Sequence, residues 1–211
     1  MAIPDYFQEI SDFGSPNGHP NEADFIAEGL TEIDPASGNL IWNAAGRAVI
    51  NEIIALRFSQ AVELYEVIQY LELGLPNPQL ARQMVARGYY AMFSAGRAVS
   101  LTLCARDWGM GSGNHGNLPT HLRRLTTGDS WSPNFYEYLI MWRSLRNCAD
   151  YNLLPVLVYS GRHAGRRPRR VAPHYSSLDE AVAHIRNRVE RYLGESQRLI
   201  TSRGVHLVRT V

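Results

Sequence analysis

The chain has 211 residues, with 21 arginines and no lysine against 20 acidic residues, for a formal net charge of +1. That length buries a sizeable core as one domain, or as one domain with an appendage. No apolar run reaches the roughly 20 residues that span a bilayer, and the acidic start Met1–Asp12 lacks a signal-peptide layout, so a cytoplasmic protein with no membrane partner is expected. Cys104 and Cys148 are the only cysteines. They exclude a disulfide framework and are expected as buried thiols. No cysteine or histidine cluster has zinc spacing, so neither a metal nor a cofactor is expected.

Residues 1–45 are rich in Pro, Gly, Asn and acids. They read as an irregular extension with two short helices, near Asp5–Ile10 and Glu22–Leu30. From about Asn43 to Leu73 the apolar residues Ile50, Ile54, Ala61, Tyr65 and Ile68 form one helical stripe. Asn77 then caps a helix that starts at Pro78 and runs to about Arg106. The small residues Ala81, Ala86, Gly88, Ala91, Ala95, Gly96 and Ala98 let a neighbouring helix approach it closely. Trp108–Asn117 reads as a Gly-rich loop, and a short helix follows over Pro119–Leu125. Ser132 caps a helix from Pro133 to Asp150 or Tyr151. A long basic stretch, Leu153–Pro173, leads to the capping box Ser177-Leu-Asp-Glu180, which opens a last helix that Gly204 closes. Val205–Val211 is a short tail. The sum is an all-α fold, an antiparallel bundle of helices over residues 46–203, with an extension at 1–45 and a tail at 204–211.

Charge is unevenly spread. Residues 1–72 hold twelve acids and two arginines, and residues 143–211 hold thirteen arginines and five acids. An acidic arm and a basic face could pack on each other or compete with nucleic acid. Exclusive use of arginine fits a GC-rich genome as well as arginine's fork geometry for phosphate.

Three segments carry candidate chemistry. Gly111-Ser-Gly113-Asn-His115-Gly116 spells G-x-G-x-x-G, but it follows a helix where a dinucleotide site needs a strand. His115 within it is a loop histidine able to titrate near neutral pH. Arg162, His163, Arg166, Arg167, Arg169 and Arg170 lie within nine positions, and such a run suits nucleic-acid phosphates or a solvated loop. Arg143, Arg146 and Asp150 share one helix face, with Tyr151 beside them. That face is either an intrahelical ion pair or a groove in which arginine holds phosphate and Asp150 orients a nucleophile or another residue.

The ordered set Arg87-Gly-Tyr89-Tyr90-Ala-Met-Phe93, His115-Gly116 and Arg146-Asn-Cys-Ala-Asp150-Tyr151 resembles the HEPN domain superfamily, in its small stand-alone branch with an R-x-x-A-D-Y motif. The likeness covers about residues 50–202. It implies a bundle of four to five helices that dimerises so that two motif helices meet. Arg87, Tyr89 and Tyr90 would support the motif. Many relatives are metal-independent endoribonucleases with an R-x4–6-H motif, several are toxins paired with a nucleotidyltransferase antitoxin, and others are binding modules without catalysis. Here Asp150 stands where the histidine is expected. Aspartate is an anion at neutral pH and a poor proton donor, so His115 is the candidate for the missing imidazole. The resemblance thus implies a homodimer in a toxin–antitoxin or phage-defence role. It would bind or cleave RNA through Arg146, Asp150, Tyr151 and His115, or else dock a partner without catalysis.

Overall fold

The computed structural model describes residues 29–33, 35, 40–104, 114–126, 135–151 and 178–211. Two short strands, β1 (Thr31–Ile33) and β2 (Leu40–Trp42), precede five helices among the described residues. These are α1 (Ala44–Glu72), α2 (Pro78–Cys104), α3 (Asn114–Leu125), α4 (Phe135–Tyr151) and α5 (Leu178–Ser202). The chain divides into two compact units, residues 1–52 and 53–211.

In the first unit β1 and β2 pair antiparallel, with Thr31 opposite Trp42 and Ile33 opposite Leu40. This hairpin corrects the expectation of an irregular stretch, because three-residue strands are too short for alternation to stand out. Asn43 ties it to the start of α1. Its Oδ1 accepts from the Gly46 N–H at 2.8 Å, which makes it the N-cap, and its Nδ2 donates to the Gly29 carbonyl at 2.6 Å. Gly46 has no room for a side chain, since a Cβ there would collide with the Leu30 carbonyl and the Trp42 ring. The helices expected near Asp5–Ile10 and Glu22–Leu30 fall on residues 1–28, outside the described residues, apart from Gly29 and Leu30, which are not helical.

The second unit is a helical bundle around α2, which packs against α3, α4 and α5. Sixteen of the 27 residues of α2 are buried, as in a helix enclosed on most sides. Asn77 caps it as expected, accepting from the Gln79 N–H at 2.9 Å and the Leu80 N–H at 3.3 Å. The small residues do what their size suggests. A Cβ on Gly88 would run into Ile185 of α5, and one on Gly96 would lie 3.1 Å from the Tyr192 hydroxyl and 3.2 Å from Leu122. The part of the α1 stripe that lies in this unit, from Ile54 to Ile68, is buried throughout. Trp142, Leu139, Leu118, Leu122, Ile185 and Val189 complete the core, each large apolar side chain contributing about 1.5–3 kcal/mol by leaving water.

Long polar side chains fasten the outer helices. Tyr65 of α1 donates to Glu190 of α5 at 3.0 Å, and Arg209 of the tail reaches Glu66 at 3.1 Å. Three arginines locate α4: Arg82 donates to the Ala149 carbonyl at 2.9 Å, Arg188 donates to the Tyr138 hydroxyl at 3.0 Å, and Arg123 lies over the Tyr136 ring at 5.2 Å.

Two further expectations are corrected. Helix α3 begins at Asn114, five residues before Pro119. Pro119 sits in its second turn, so the helix forgoes the one N–H that the His115 carbonyl would otherwise receive. Cys104 is exposed at the end of α2, not buried, with its Sγ 3.2 Å from the Ser100 carbonyl. The Cys148 side chain, Ser132 and Ser177 lie outside the described residues.

Two glycines test the role of size. Gly88→Ala should lower stability by about 1–2 kcal/mol despite its better helix propensity, because the core side of Gly88 is already full. Gly194→Ala, in an α5 position with open space, should raise stability by about 0.5–1 kcal/mol. Thermal melts of the two variants should therefore move in opposite directions by a few degrees.

Candidate functional site

The site is built on one stripe of α2. Arg82, Tyr89, Phe93 and Arg97 recur at spacings of seven, four and four residues, which places them along a single helix face. Helices α3 and α4 cover this face.

His115 enters from the first turn of α3, not from a loop, and is half-buried. Its Nδ1 is 2.6 Å from the Tyr89 hydroxyl. Its ring packs on Phe93 at 4.6 Å between centroids and meets Tyr90 edge-on at 6.3 Å. Tyr89 itself is fully buried and touches Tyr90 and Phe93, at 5.4 and 5.8 Å. Ring pairs at these distances add about 0.5–1.5 kcal/mol each beyond their area.

Helix α4 brings the charges. The Arg146 guanidinium carbon lies 5.3 Å from the centre of the Tyr90 ring. Its Nε is 2.6 Å from Asp150 Oδ2, and its Nη1 donates to Asn147 Oδ1 at 3.2 Å. The pair is partly open to water, with side-chain exposures of 19% and 24%, so its net contribution is a fraction of a kcal/mol to about 1 kcal/mol. Arg143 is exposed one turn earlier, and its Nη1 lies 3.7 Å from where a Cβ on Gly116 would sit. The Tyr90 ring is thus shared: Arg146 covers it and the His115 ring meets it.

Burial pulls the His115 pKa below its ordinary value of 6.5, and the guanidiniums of Arg143, Arg146 and Arg97 pull it further. The ring is therefore neutral at physiological pH. Burial pushes the Tyr89 hydroxyl well above its usual range, partly offset by Arg143 and Arg146, so it keeps its proton. Tyr192, fully buried on α5, is pushed up by burial and by its nearness to Tyr89.

The structure brings together His115, Tyr89, Tyr90, Arg143, Arg146 and Asp150. Arg87 is exposed and makes no ion pair or ring contact among the described residues, so it does not join the cluster. Tyr151 ends α4, but its side chain lies outside the described residues. Arg162, His163, Arg166, Arg167, Arg169 and Arg170 also lie outside them. Arg82 and Arg97 are contributors that the sequence motifs do not name, and Phe93 stands there only as the end of the Tyr-Tyr-Ala-Met-Phe segment. Their signal is the common stripe with Tyr89. Among the described residues no three of His, Cys, Asp and Glu gather as a metal site, and no helix is long and apolar enough to cross a membrane.

Fold and site define an all-α bundle carrying an arginine-ringed histidine between helices. In comparisons with known proteins, no family model, curated protein or solved structure matches the chain.

The depressed His115 pKa has a consequence for stability. The unfolded chain takes up this proton first as pH falls, so the stability of the neutral ring is complete above about pH 6.5 and is lost below it. Denaturant midpoints should drop between about pH 7.5 and pH 5.5, and His115→Gln should flatten that drop. An identical slope in the variant would contradict the assignment.

Proposed function

We propose that this chain is a HEPN-like RNA-binding protein in a toxin–antitoxin or phage-defence role, and that its histidine niche is the cleft of a metal-independent endoribonuclease. The observation that carries this reading is the shared Tyr90 ring, with Arg146 over it and His115 at its edge. Three guanidiniums, Arg97, Arg143 and Arg146, act on one neutral imidazole, and one of them, Arg146, pairs with a carboxylate, Asp150. The balance favours a phosphodiester, whose charge the arginines attract and whose ribose offers the 2′-hydroxyl as nucleophile. Arg143 and Arg146 hold phosphate, Asp150 orients Arg146, and His115 supplies the imidazole that the Asp150 position lacks. The resemblance adds a homodimer in which two such faces meet.

One observation favours a second reading. Arg146 already has Asp150 at 2.6 Å and Tyr90 against its face, an arrangement that a purely structural pair would also show. On that reading the face builds a dimer or docks a nucleotidyltransferase, without catalysis.

Purified full-length chain incubated with total RNA in chelator separates the two. The first reading expects cleavage that Arg146→Ala and His115→Ala each reduce by about 100-fold or more, as for loss of a donor to the developing charge, with the oligomeric state unchanged in gel filtration. RNA that stays intact over long incubation, with no retention of labelled RNA, leaves the docking module as the function.

A further inference from the structure

The hydrogen bond at the centre of the site has a direction, and that direction decides what His115 can offer a ligand. Nδ1 and the Tyr89 hydroxyl are 2.6 Å apart. Either the hydroxyl donates to Nδ1, which leaves the ring proton on Nε2, or Nδ1–H donates to the hydroxyl oxygen. A phenol O–H is a far better donor than a neutral imidazole N–H, and an imidazole lone pair is a far better acceptor than a phenol oxygen. The surroundings point the same way. Tyr89 is fully buried, so its hydroxyl needs a strong acceptor. The ring is held against Phe93 and Tyr90, so it cannot turn away from Tyr89 without losing both packings.

We infer that Tyr89 is a positioning residue that holds His115 as the neutral Nε2–H tautomer, so that the ring serves as a hydrogen-bond donor to a phosphate oxygen and not as the base. This rests on the niche being a phosphate site. The charges facing His115 agree with the role: Arg97 from α2 and Arg143 and Arg146 from α4 disfavour a second ring proton, while Asp150 is paired with Arg146. Tyr90 adds an aromatic ring from α2, and Tyr192 of α5 lies near Tyr89. A neutral imidazole next to guanidiniums gives a fixed N–H dipole to an anion without adding a charge that its neighbours would oppose.

Long-range proton–nitrogen NMR spectra of the labelled full-length chain at neutral pH test this, with the His115 signals identified by their loss in His115→Gln. The expected result is a proton on Nε2. Tyr89→Phe should redistribute it toward Nδ1 and shift the His115 titration upward, because a bond that stabilises the neutral ring is gone. A wild-type proton on Nδ1, or a tautomer unchanged in Tyr89→Phe, overturns the inference. If the variant does not fold, the wild-type Tyr89 hydroxyl proton decides: a slowly exchanging, strongly downfield hydroxyl proton coupled to His115 Nδ1 upholds the inference, and its absence overturns it. Adding a single-stranded RNA oligonucleotide separates this inference from the RNA reading. A shift of the Nε2 signal supports both. An Nε2–H tautomer that ignores RNA upholds the role of Tyr89 in setting the tautomer and removes the RNA ligand.

Discussion

A helix enclosed by other helices can be packed only where its own side chains let the neighbours approach, and α2 meets that constraint with glycine and alanine. Gly88 admits Ile185 of α5, and Gly96 admits Tyr192 together with Leu118 and Leu122. Close approach has a second effect. Polar groups on an enclosed helix are removed from water and must find partners in place. Tyr89 finds His115, Ser94 reaches Gln60 of α1 at 3.4 Å, and Arg82 reaches the last turn of α4 at the Ala149 carbonyl. The packing of α2 therefore positions the site as well as the core.

The electrostatics follow from this packing. An almost even count of arginines and acids hides a local excess of positive charge around one half-buried ring. Desolvation penalises an imidazolium there, and the guanidiniums add to the penalty. The same field attracts an anion. Asp150 tempers it by pairing with Arg146, and the partial exposure of that pair keeps the interaction modest.

Much of the fold was legible in the sequence because helical periodicity and caps are local. The Ile50–Ile68 stripe, the Asn77 cap and the close of α5 before Gly204, which adopts a left-handed backbone at φ 82°, all follow from short-range rules. The β1–β2 hairpin was not legible, since three residues are too few for a period. The start of α3 was misplaced because a proline more often opens a helix than sits in its second turn. Arg87 shares with Tyr89 and Tyr90 the motif that carries the resemblance, yet it is exposed and outside the cluster.

The candidate site divides in the same way. Arg146 and Asp150 are one helical turn apart, so their pairing was determined by the sequence alone. The stripe through Tyr89, Phe93 and Arg97 was likewise present in the spacing. That His115 closes onto Tyr89, 26 positions away, was decided only by the packing of α3 across α2. Its depressed pKa was decided there too, because desolvation and the nearness of Arg97, Arg143 and Arg146 exist only once three helices have met. Local sequence sets which faces a helix can present, and tertiary structure sets which faces meet.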